Sequence, residues 1–552
     1  MSSQSRSADV IIIGAGPGGL GVAKTYLELE PTADILLLEQ RATLGGVWAA
    51  ENCYDSLKTN NLKGTYEYSD EYGVEENTHV PGAVLHQYLS DFAAHFDLVR
   101  RIHFSTKVIS VAKSESGWKI NSVAVDSAGE VLDKAEYQCK KLVVCTGLFS
   151  TPNPVTLRGK DDFGKPVLNQ GQMNVEAHAV AKDPNVKRVT VISACKAGYD
   201  AVHLMASHGK KVDWVIRESG GGAVWMSEPK IYLGPWTIDF ETVANMRFFS
   251  WFSPCVWGDI DGFGPIRKFL HSTPIGRWLV LFWSTRVGIL NYPGNFHDYI
   301  TSGQVRVIKK DISHLSAGGK VHLADGSVLQ SDALFAITGW NLAQSIRYHP
   351  AGLEASLGVP TANLTAEETA FWNDLDHKAD EEMRSRFPSL RHGPAKPIPY
   401  KQAVSPFRLY HGIAPPGLTA RGDRSIVFVD MIHSIGTMII IETQALWAYA
   451  YLNNKLDLDK KKEEDIYWQT ALMSRYGKVR YPCGFGAWFF EFAFDTLPYA
   501  DMLLEDLGLK KRRKGSWLKE VFEGHTTRDY KGINQEWMQK QLAKKEQRIE
   551  KV

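Results

Sequence analysis

The stretch that decides the fold lies almost at the N-terminus and reads Asp9-Val-Ile-Ile-Ile-Gly14-Ala-Gly16-Pro-Gly-Gly19-Leu20. Its β-branched run at 10–13 predicts a buried parallel strand, and the apolar-periodic segment after the glycines predicts a helix. In such a unit Gly14 permits a tight turn, Gly16 lets the backbone approach a pyrophosphate, and Gly19 allows close packing of helix on strand. The N-terminus of the helix also offers free N–H groups and a positive dipole end. The stretch therefore predicts a dinucleotide-binding turn.

A second strand strengthens this prediction. It covers residues 35–38 and ends in Glu39, which stands twenty positions after Gly19. An acidic side chain at this distance is placed to accept a hydrogen bond from a ribose hydroxyl. The alternative interpretation is a glycine turn that packs without any ligand.

Composition sets limits on the class of protein. The chain has 552 residues, 44% of them hydrophobic and 23% charged, which predicts a globular protein of two or three domains. Its formal net charge of +1 gives no reason to expect a nucleic-acid partner. Six scattered cysteines without a CxxC pair are typical of reduced intracellular thiols, and no metal site is predicted. With no signal peptide and no membrane-spanning run in the sequence, we expect a cytoplasmic protein.

Two loops after Glu39 are candidates for contact with a flat ligand. In Gly45-Gly46-Val47-Trp48 the glycines allow the backbone to press against a planar group that Trp48 could cover. A surface turn with a packed Trp is the alternative. The second loop is polar and compact and contains Thr59-Asn60-Asn61. Further along, residues 107–138 predict an antiparallel meander, after which the chain re-enters the sheet and ends a strand at Thr146-Gly147.

A second strand–turn–helix–strand unit follows, with strands at 188–192 and 212–216. Its turn, Ser193-Ala-Cys195-Lys196-Ala-Gly198, has lost the first two glycines, and any Cβ there pushes a phosphate away from the backbone. Lys196 and Arg217 are the candidate nucleotide-binding residues of this unit. Arg217 stands where a 2′-phosphate would be held, which favours NADP over NAD. A structural unit without nucleotide is the alternative.

The predicted domains are a first nucleotide-binding part at 1–155, a second nucleotide-binding domain at 156–330, a return to the first domain at 331–450 and a helical C-terminal region at 451–552. Residues 150–170 are interpreted as a linker, and Thr338-Gly339 repeats the earlier Thr-Gly strand end. Within the second domain, 225–300 is an insertion rich in aromatic and basic residues. It could be a lid, a buried domain contact or, through 246–290, a peripheral membrane contact.

The order of these motifs resembles the flavin-containing monooxygenase family, the class B flavoprotein monooxygenases with Baeyer–Villiger and N-hydroxylating relatives. The resemblance covers the chain from residue 10 to about 451 and rests on the first glycine turn, Glu39, the Gly45–Trp48 loop, the Thr59-Asn60 pair and both Thr-Gly strand ends. It implies an α/β fold of two Rossmann-like domains, the second inserted in the first. It also implies FAD in the first domain and NADPH in the second. In that family the residue matching Asn60 lies beside the flavin ring and hydrogen-bonds to the cofactors.

Three departures from the family pattern concern the second nucleotide and the flavin surroundings. Asn169, after Phe163-Gly164, replaces a histidine of the linker fingerprint, and the second turn has lost its glycines. Asp430 stands where relatives tend to have glycine near the flavin. The first two departures weaken the expectation of NADPH binding and leave the FAD site intact.

The sequence thus predicts an FAD enzyme that uses NADPH and O2 to insert oxygen at nitrogen, sulfur or a ring carbon of a large apolar small molecule. The expected cofactor-binding residues are Gly14, Gly16, Gly19, Glu39, Gly46, Val47, Trp48, Thr59, Asn60, Thr146, Gly147, Lys196 and Arg217, with Asn60 also catalytic. An FAD oxidase or cyclase that never uses NADPH is the alternative enzyme, and a flavoprotein with purely structural FAD is the alternative outside catalysis. The substrate and the oligomeric state stay open.

Overall fold

The computed structural model describes residues 5–70, 78–126, 130–220, 222–248, 287–341, 345–391, 404–481 and 484–549. The elements up to residue 144 are β1 (Ser5–Ile13), α1 (Pro17–Leu29), β2 (Ile35–Leu38), β3 (Lys58–Leu62), β4 (His79–Pro81), α2 (Gly82–His95), β5 (Ile102–His103), β6 (Thr106–Ser114), β7 (Gly117–Val125) and β8 (Val131–Val144). Those between 167 and 336 are β9 (Val167–Asn169), α3 (Val175–Lys182), β10 (Arg188–Ile192), α4 (Lys196–Ser207), β11 (Lys211–Ile216), β12 (Trp225–Ser227), β13 (Lys230–Leu233), β14 (Trp236–Asp239), α5 (Phe240–Ala244), β15 (Val287–Ile289), α6 (Asp298–Thr301), β16 (Val305–Lys309), β17 (Ile312–Ser316), β18 (Lys320–Leu323), β19 (Val328–Gln330) and β20 (Ala333–Ala336). The remaining elements are β21 (Arg347–His349), α7 (Leu353–Leu357), α8 (Ala366–Arg386), α9 (Pro416–Ala420), β22 (Ile426–Phe428), β23 (Ile432–His433), α10 (Thr437–Leu452), α11 (Glu463–Arg480), β24 (Phe490–Glu491), α12 (Thr496–Leu507), α13 (Trp517–Phe522) and α14 (Ile533–Ile549).

The first sheet combines a parallel layer with an antiparallel meander. Its strand order is β21-β6-β7-β8-β1-β2-β5, and β22 also pairs with β8. Strand β8 belongs to both parts: it runs antiparallel to β7, and its last residues lie parallel to β1 and β22. The parallel strands are buried on both faces, which is why they read as continuous apolar runs.

The second sheet is entirely parallel and has the order β16-β11-β10-β20-β9. Two of its strands differ from the sequence-based interpretation. Strand β9 falls within the predicted linker, and β20 pairs with β10 although the chain was expected to have returned to the first domain after 330. Because β9 has three residues, it carries too short a pattern to be recognised. The apolar sequence of β20 would suit a buried strand of either sheet, so it does not identify the sheet to which β20 belongs.

The chain returns to the first sheet at β21 and β22, and it then forms α10, which is buried from Met438 to Leu452 and packs against α1. The C-terminal helices pack onto this unit rather than standing apart. Helix α12 lies on α10, α14 lies on α1, and β24 pairs with β23. The predicted class, an α/β fold of two Rossmann-like domains with a helical C-terminal region, is confirmed. Within the described residues, no helix has the length and apolar character needed to span a bilayer.

Candidate active site

The first glycine turn joins β1 to α1 with almost no free space. Gly14 has φ +105°, in the left-handed region that favours glycine, and a Cβ there would collide with the carbonyl oxygen of Cys145. A Cβ at Gly19 would collide with the carbonyl oxygen of Gly14. Gly14 and Gly19 are therefore glycines because the turn and the helix–strand contact require them.

The fit of a dinucleotide can be tested at the start of α1. Its N-cap, Gly16, offers no side-chain cap, and the first turn contains no acidic residue. Gly16 faces Gly46, and a Cβ on Gly46 would lie 3.1 Å from the Cα of Gly16. Bare backbone N–H groups at a helix N-terminus, with no side chain in front of them, are what a pyrophosphate requires. The residues present fit FAD.

Glu39 lies at the end of β2, only 4% exposed. Its two carboxylate oxygens accept hydrogen bonds from the backbone N–H groups of Ala15 (2.8 Å) and Arg41 (2.9 Å). Burial raises the pKa of this carboxyl. Glu39 therefore braces the glycine turn itself, and its oxygens keep further lone pairs for a ribose hydroxyl.

One cavity of about 590 Å³ unites most of the predicted residues, and this volume is within the range of ligand pockets. Its nucleotide ends are lined by Gly14, Gly16 and Glu39 of the first turn and by Cys195, Lys196 and Asp200 of the second. Between them its walls include Gly46, Val47, Trp48, Asn60, Asn61, Thr146, Gly147, Phe149, Trp340, Asp430, His433, Thr437 and Phe485. Helices α1, α4 and α10 each bring their N-terminal end to this cavity, so its electrostatic environment favours negative ligand groups.

The Gly46–Trp48 segment is a single 3₁₀ turn pressed against the start of α1. Gly46 has φ +61°, and the indole N–H of Trp48 donates to the Tyr66 hydroxyl at 2.9 Å. Val47 is 39% exposed and lines the cavity. This turn thus borders the cavity, and the hydrogen bond to Tyr66 holds the Trp48 ring in the cavity wall.

Thr59 and Asn60, predicted together as a pair, have different surroundings in the β3 hairpin. Thr59 is buried, and its hydroxyl donates to the Asn61 carbonyl and accepts from the Val80 N–H, so it braces the hairpin behind the cavity wall. Asn60 is exposed within the cavity, where its Oδ1 accepts a long hydrogen bond, 3.4 Å, from the Ile289 N–H. No hydrogen bond of its amide nitrogen is found among the described residues.

Sequence analysis missed the group that holds this hairpin. The Asn61 amide donates to Glu241 Oε1 at 2.5 Å and to the Ile435 carbonyl at 2.6 Å, and Glu241 Oε2 accepts from the Leu62 N–H at 2.5 Å. Burial raises the pKa of Glu241 to about 7. Glu241 lies on α5, 180 residues from Asn61 in sequence, so no local pattern could have shown the contact.

The second turn keeps one glycine for packing. A Cβ at Gly198 would collide with the Ser193 side chain, and Ser193 is itself buried. The Ser193 hydroxyl accepts from the Cys195 N–H at 3.3 Å. Cys195 is the N-cap of α4, at the position that Gly16 holds in the first turn, and it is among the residues that line the cavity, with its Sγ 3.4 Å from the Ser193 hydroxyl.

The two predicted cations of the second site differ in position. The Lys196 amino group is 2.6 Å from Asp200 Oδ1 and donates to the Tyr292 hydroxyl at 3.0 Å. Asp200 also accepts from the hydroxyl of Tyr54 at 2.9 Å. Lys196 lines the cavity with its charge already paired. Arg217 follows β11, is exposed, and is not among the described residues that line the cavity.

Asp430 adds a carboxyl group to the flavin side of the cavity. It has φ +64°, which accounts for a preference for glycine at this position, and a Cβ on Gly18 would lie 2.7 Å from its own Cβ. Burial raises the pKa of Asp430 to about 7. The structure therefore brings a neutralisable acid to the N-terminal turn of α1.

The aromatic insertion is described only at its ends. Arg247 is buried and forms ion pairs with Asp501 and, at 2.8 Å, with Glu520. Phe248 packs on Phe522 with ring centroids 5.3 Å apart. The start of the insertion thus contacts the C-terminal helices. Trp257, the aromatic run at 278–283 and most of the predicted membrane-contact segment lie outside the described residues.

Comparison with known proteins agrees with this geometry. Residues 11–246 match the family described as pyridine nucleotide-disulphide oxidoreductase. The chain is 30% identical to FAD-dependent monooxygenase rstn6 of Aspergillus nomiae, with 96% of this chain and 98% of the relative covered. It is also 30% identical to FAD-dependent monooxygenase resA of Aspergillus sclerotiorum, covering 97% and 99%. The open crystal structure of cyclohexanone monooxygenase matches with a TM-score of 0.58 at 16% identity, over 91% of this chain and 97% of that one.

The fold and the first nucleotide site define a flavoprotein oxidoreductase. The two near-full-length relatives give the class more narrowly: the chain belongs to the family of FAD-dependent monooxygenases. FAD is accordingly its cofactor, and its substrate is a small molecule oxidised with O2.

Proposed function

We propose that this enzyme is an NADPH-dependent monooxygenase that transfers oxygen from O2 to nitrogen, sulfur or a ring carbon of a large, mainly apolar small molecule. The observation that carries the proposal is the single cavity that both nucleotide turns reach. A reductant bound at Cys195 and a flavin bound at Gly16 would share this space with the substrate. Such an arrangement allows reduction and oxygen transfer within one site.

Different groups of residues would bind different parts of FAD. The N–H groups at the start of α1 would hold the FAD pyrophosphate, Glu39 the ribose, and the Gly46–Trp48 turn with Thr146-Gly147 would border the flavin. Bound FAD supplies the redox chemistry, accepting hydride from NADPH and activating O2. The protein supplies binding, orientation and exclusion of water.

Asn60 is the residue we assign to the reacting centre. Its Oδ1 is engaged by the Ile289 N–H, so its amide N–H groups can donate to a ligand in the cavity. A preorganised donor at the site of oxygen transfer stabilises developing negative charge. Thr59 and Asn61, fixed by the hairpin and by Glu241, would hold Asn60 in place.

The second turn is less well suited to bind NADPH than the first turn is to bind FAD. Lys196 is paired with Asp200, and the side chain of Cys195 stands where a phosphate would approach the backbone. We therefore expect Arg217, exposed after the end of β11, to provide the cation for the 2′-phosphate.

The alternative is an FAD oxidase or cyclase that takes hydride from its substrate. The Lys196–Asp200 pair favours it, because that pair neutralises the charge a nucleotide phosphate would seek. The described thiols, Cys53, Cys139, Cys145 and Cys195, are free and support a reducing, cytoplasmic compartment under either proposal.

Anaerobic mixing of the FAD-loaded protein with NADPH separates the two proposals. Loss of the oxidised flavin absorbance, with a rate that saturates in NADPH, supports the monooxygenase. Flavin that stays oxidised with NADPH but is reduced by an organic substrate supports the oxidase. Flavin that neither compound reduces contradicts both.

A further inference from the structure

A histidine–glutamate pair lies at the wall of the cavity, with His433 among the lining residues. Strands β23 and β24 run parallel, and their register places His433 directly opposite Glu491. His433 Nδ1 is 2.5 Å from Glu491 Oε1. Glu491 is completely buried, and its second oxygen accepts from the Phe485 N–H at 2.7 Å. Both carboxylate oxygens are thus satisfied, and the imidazole is held in one orientation.

The pair leaves one imidazole nitrogen for a ligand. His433 donates from Nδ1 to Glu491, and its side chain, 28% exposed, lines the cavity. Burial disfavours the imidazolium form, but the adjacent carboxylate outweighs this and raises the pKa of His433. The carboxylate therefore favours the imidazolium form, in which Nε2–H is a charged hydrogen-bond donor, and no partner for this nitrogen is found among the described residues.

Aromatic rings surround this donor. Phe149, Phe485 and Phe489 lie edge-on to the imidazole, with ring centroids at 6.0, 5.9 and 6.4 Å. Trp340 extends the wall, 6.4 Å from Phe149. Of these rings, Phe149, Phe485 and Trp340 line the cavity. A wall of this kind suits a flat apolar ligand, and its low polarity strengthens a charged hydrogen bond made beside it.

We propose that His433, positioned by Glu491, is a substrate-anchoring residue that binds a carboxylate or carbonyl oxygen attached to a flat apolar substrate. This rests on the proposed function and narrows its substrate class. The hydrogen bond would fix the depth and orientation of the substrate, so that one edge of its apolar body meets the flavin. The competing role is purely structural, in which the pair only ties β23 to β24.

The test uses oxidised, FAD-loaded protein without NADPH, so that it does not depend on turnover. Naphthalene-2-carboxylate and 2-methylnaphthalene, which share a ring system and differ in the oxygen acceptor, are titrated while the flavin spectrum is followed. A charged hydrogen bond contributes about 1.5–3 kcal/mol, so we expect the wild type to prefer the carboxylate by roughly tenfold or more.

His433→Gln and His433→Phe should lose this preference while still binding 2-methylnaphthalene, and Glu491→Gln should reduce it. His95→Gln, at an exposed histidine on α2, is the matched control and should leave it unchanged. FAD content and far-UV circular dichroism verify that each variant is folded. A wild type without preference, or a His433 variant that retains it, overturns the proposal.

The pH dependence gives a second readout that a structural clamp would not produce. Binding of the carboxylate should weaken as the pH rises through the raised pKa of His433. Asp430 also lines the cavity and would repel the ligand once ionised, so the profile is measured in Asp430→Asn. There the remaining pH dependence should move to lower pH in Glu491→Gln. A flat profile contradicts the proposal, whereas failure of NADPH to reduce the flavin contradicts only the proposed function.

Discussion

The two nucleotide turns share one strand–turn–helix form. Both keep the glycine that allows helix and strand to pack, but only the first keeps the glycine at the middle position. Gly19 and Gly198 both lie where a Cβ would collide with the first residue of the turn, so both turns keep this packing glycine. At the middle position, Gly16 and Cys195 are both extended, with φ −76° and −104°. The backbone therefore permits a side chain at either place. What differs is the space in front of the helix N-terminus.

This comparison separates the demands of the fold from those of the ligand. A strand–turn–helix unit persists as long as its packing glycine does, because the helix must lie close to the strand. The ligand-facing glycine matters only where a phosphate has to touch the backbone. The first turn has a glycine at both positions, whereas the second keeps the packing glycine and has Cys195 at the ligand-facing position.

The largest expected effect comes from filling the first turn. In Gly16→Val the branched side chain would project between α1 and Gly46 and remove at least two N–H contacts to the pyrophosphate. Each such bond to a charged group contributes about 1.5–3 kcal/mol, so FAD affinity should fall roughly 100-fold or more. The ratio of flavin to protein absorbance measures it.

Cys195→Val is the matched variant at the same position of the second turn. It should keep its full FAD content, because Cys195 contacts no part of the first turn's phosphate cradle. Equal loss of FAD in both variants would mean that the effect is general destabilisation, and the comparison of the turns would fail.

Asn60 lines the cavity between the two turns. Its substitution should change the outcome of the reaction more than it changes the binding of FAD or NADPH. Asn60→Asp removes the donor and adds negative charge where oxygen is activated. Loss of one preorganised donor costs about 100-fold in related sites, so the ratio of oxygenated product to released hydrogen peroxide should fall by that order. FAD content and reduction by NADPH should stay near wild type. A product ratio equal to that of the wild type would show Asn60 to be a packing residue only.

Restoring glycine to the second turn should improve NADPH binding. Cys195→Gly opens the approach to the backbone, and glycine is tolerated at an N-cap. One recovered phosphate hydrogen bond corresponds to roughly tenfold tighter binding of NADP⁺, measured by fluorescence titration. Ser193→Gly alone should change little, because Ser193 is buried beneath Gly198 and does not face the cavity. If the wild type already binds NADP⁺ in the low micromolar range, the turn is competent as it stands.

The last prediction concerns stability and the Asp430 carboxyl group, which lies beside the first turn. The pKa of Asp430 is about 7 in the folded protein because of burial, against an ordinary value of 3.8. Between these values the folded state binds the proton and the unfolded state does not, so stability falls as the pH rises toward 7. The slope contributed is at most about 1.4 kcal/mol per pH unit and is lost above pH 7. Urea unfolding of the apoprotein from pH 5 to 7.5 should show a slope that is shallower in Asp430→Asn by this amount, and the slope that remains comes from other buried carboxyl groups such as Glu241.

Local pattern was enough to predict both strand–turn–helix units and the meander, because each is specified by residues close together in sequence. The pairing of Lys196 with Asp200 could also have been predicted from the sequence, since the two residues are four positions apart on one helix. The contacts of Asn61 with Glu241 and of His433 with Glu491 could not have been predicted, because each joins segments that are distant in sequence. Strand β20 was placed in the wrong sheet because an apolar run does not identify its neighbours.

Reduction of the bound flavin by NADPH without oxygen tests the central claim most directly. Stopped-flow mixing follows the oxidised flavin absorbance as the NADPH concentration increases, in the wild type and in Cys195→Gly. Our account predicts reduction in both, with half-saturation in the variant at roughly one tenth of the NADPH concentration needed by the wild type. Flavin that remains oxidised in both proteins at millimolar NADPH would contradict the assignment of the second turn as the reductant site.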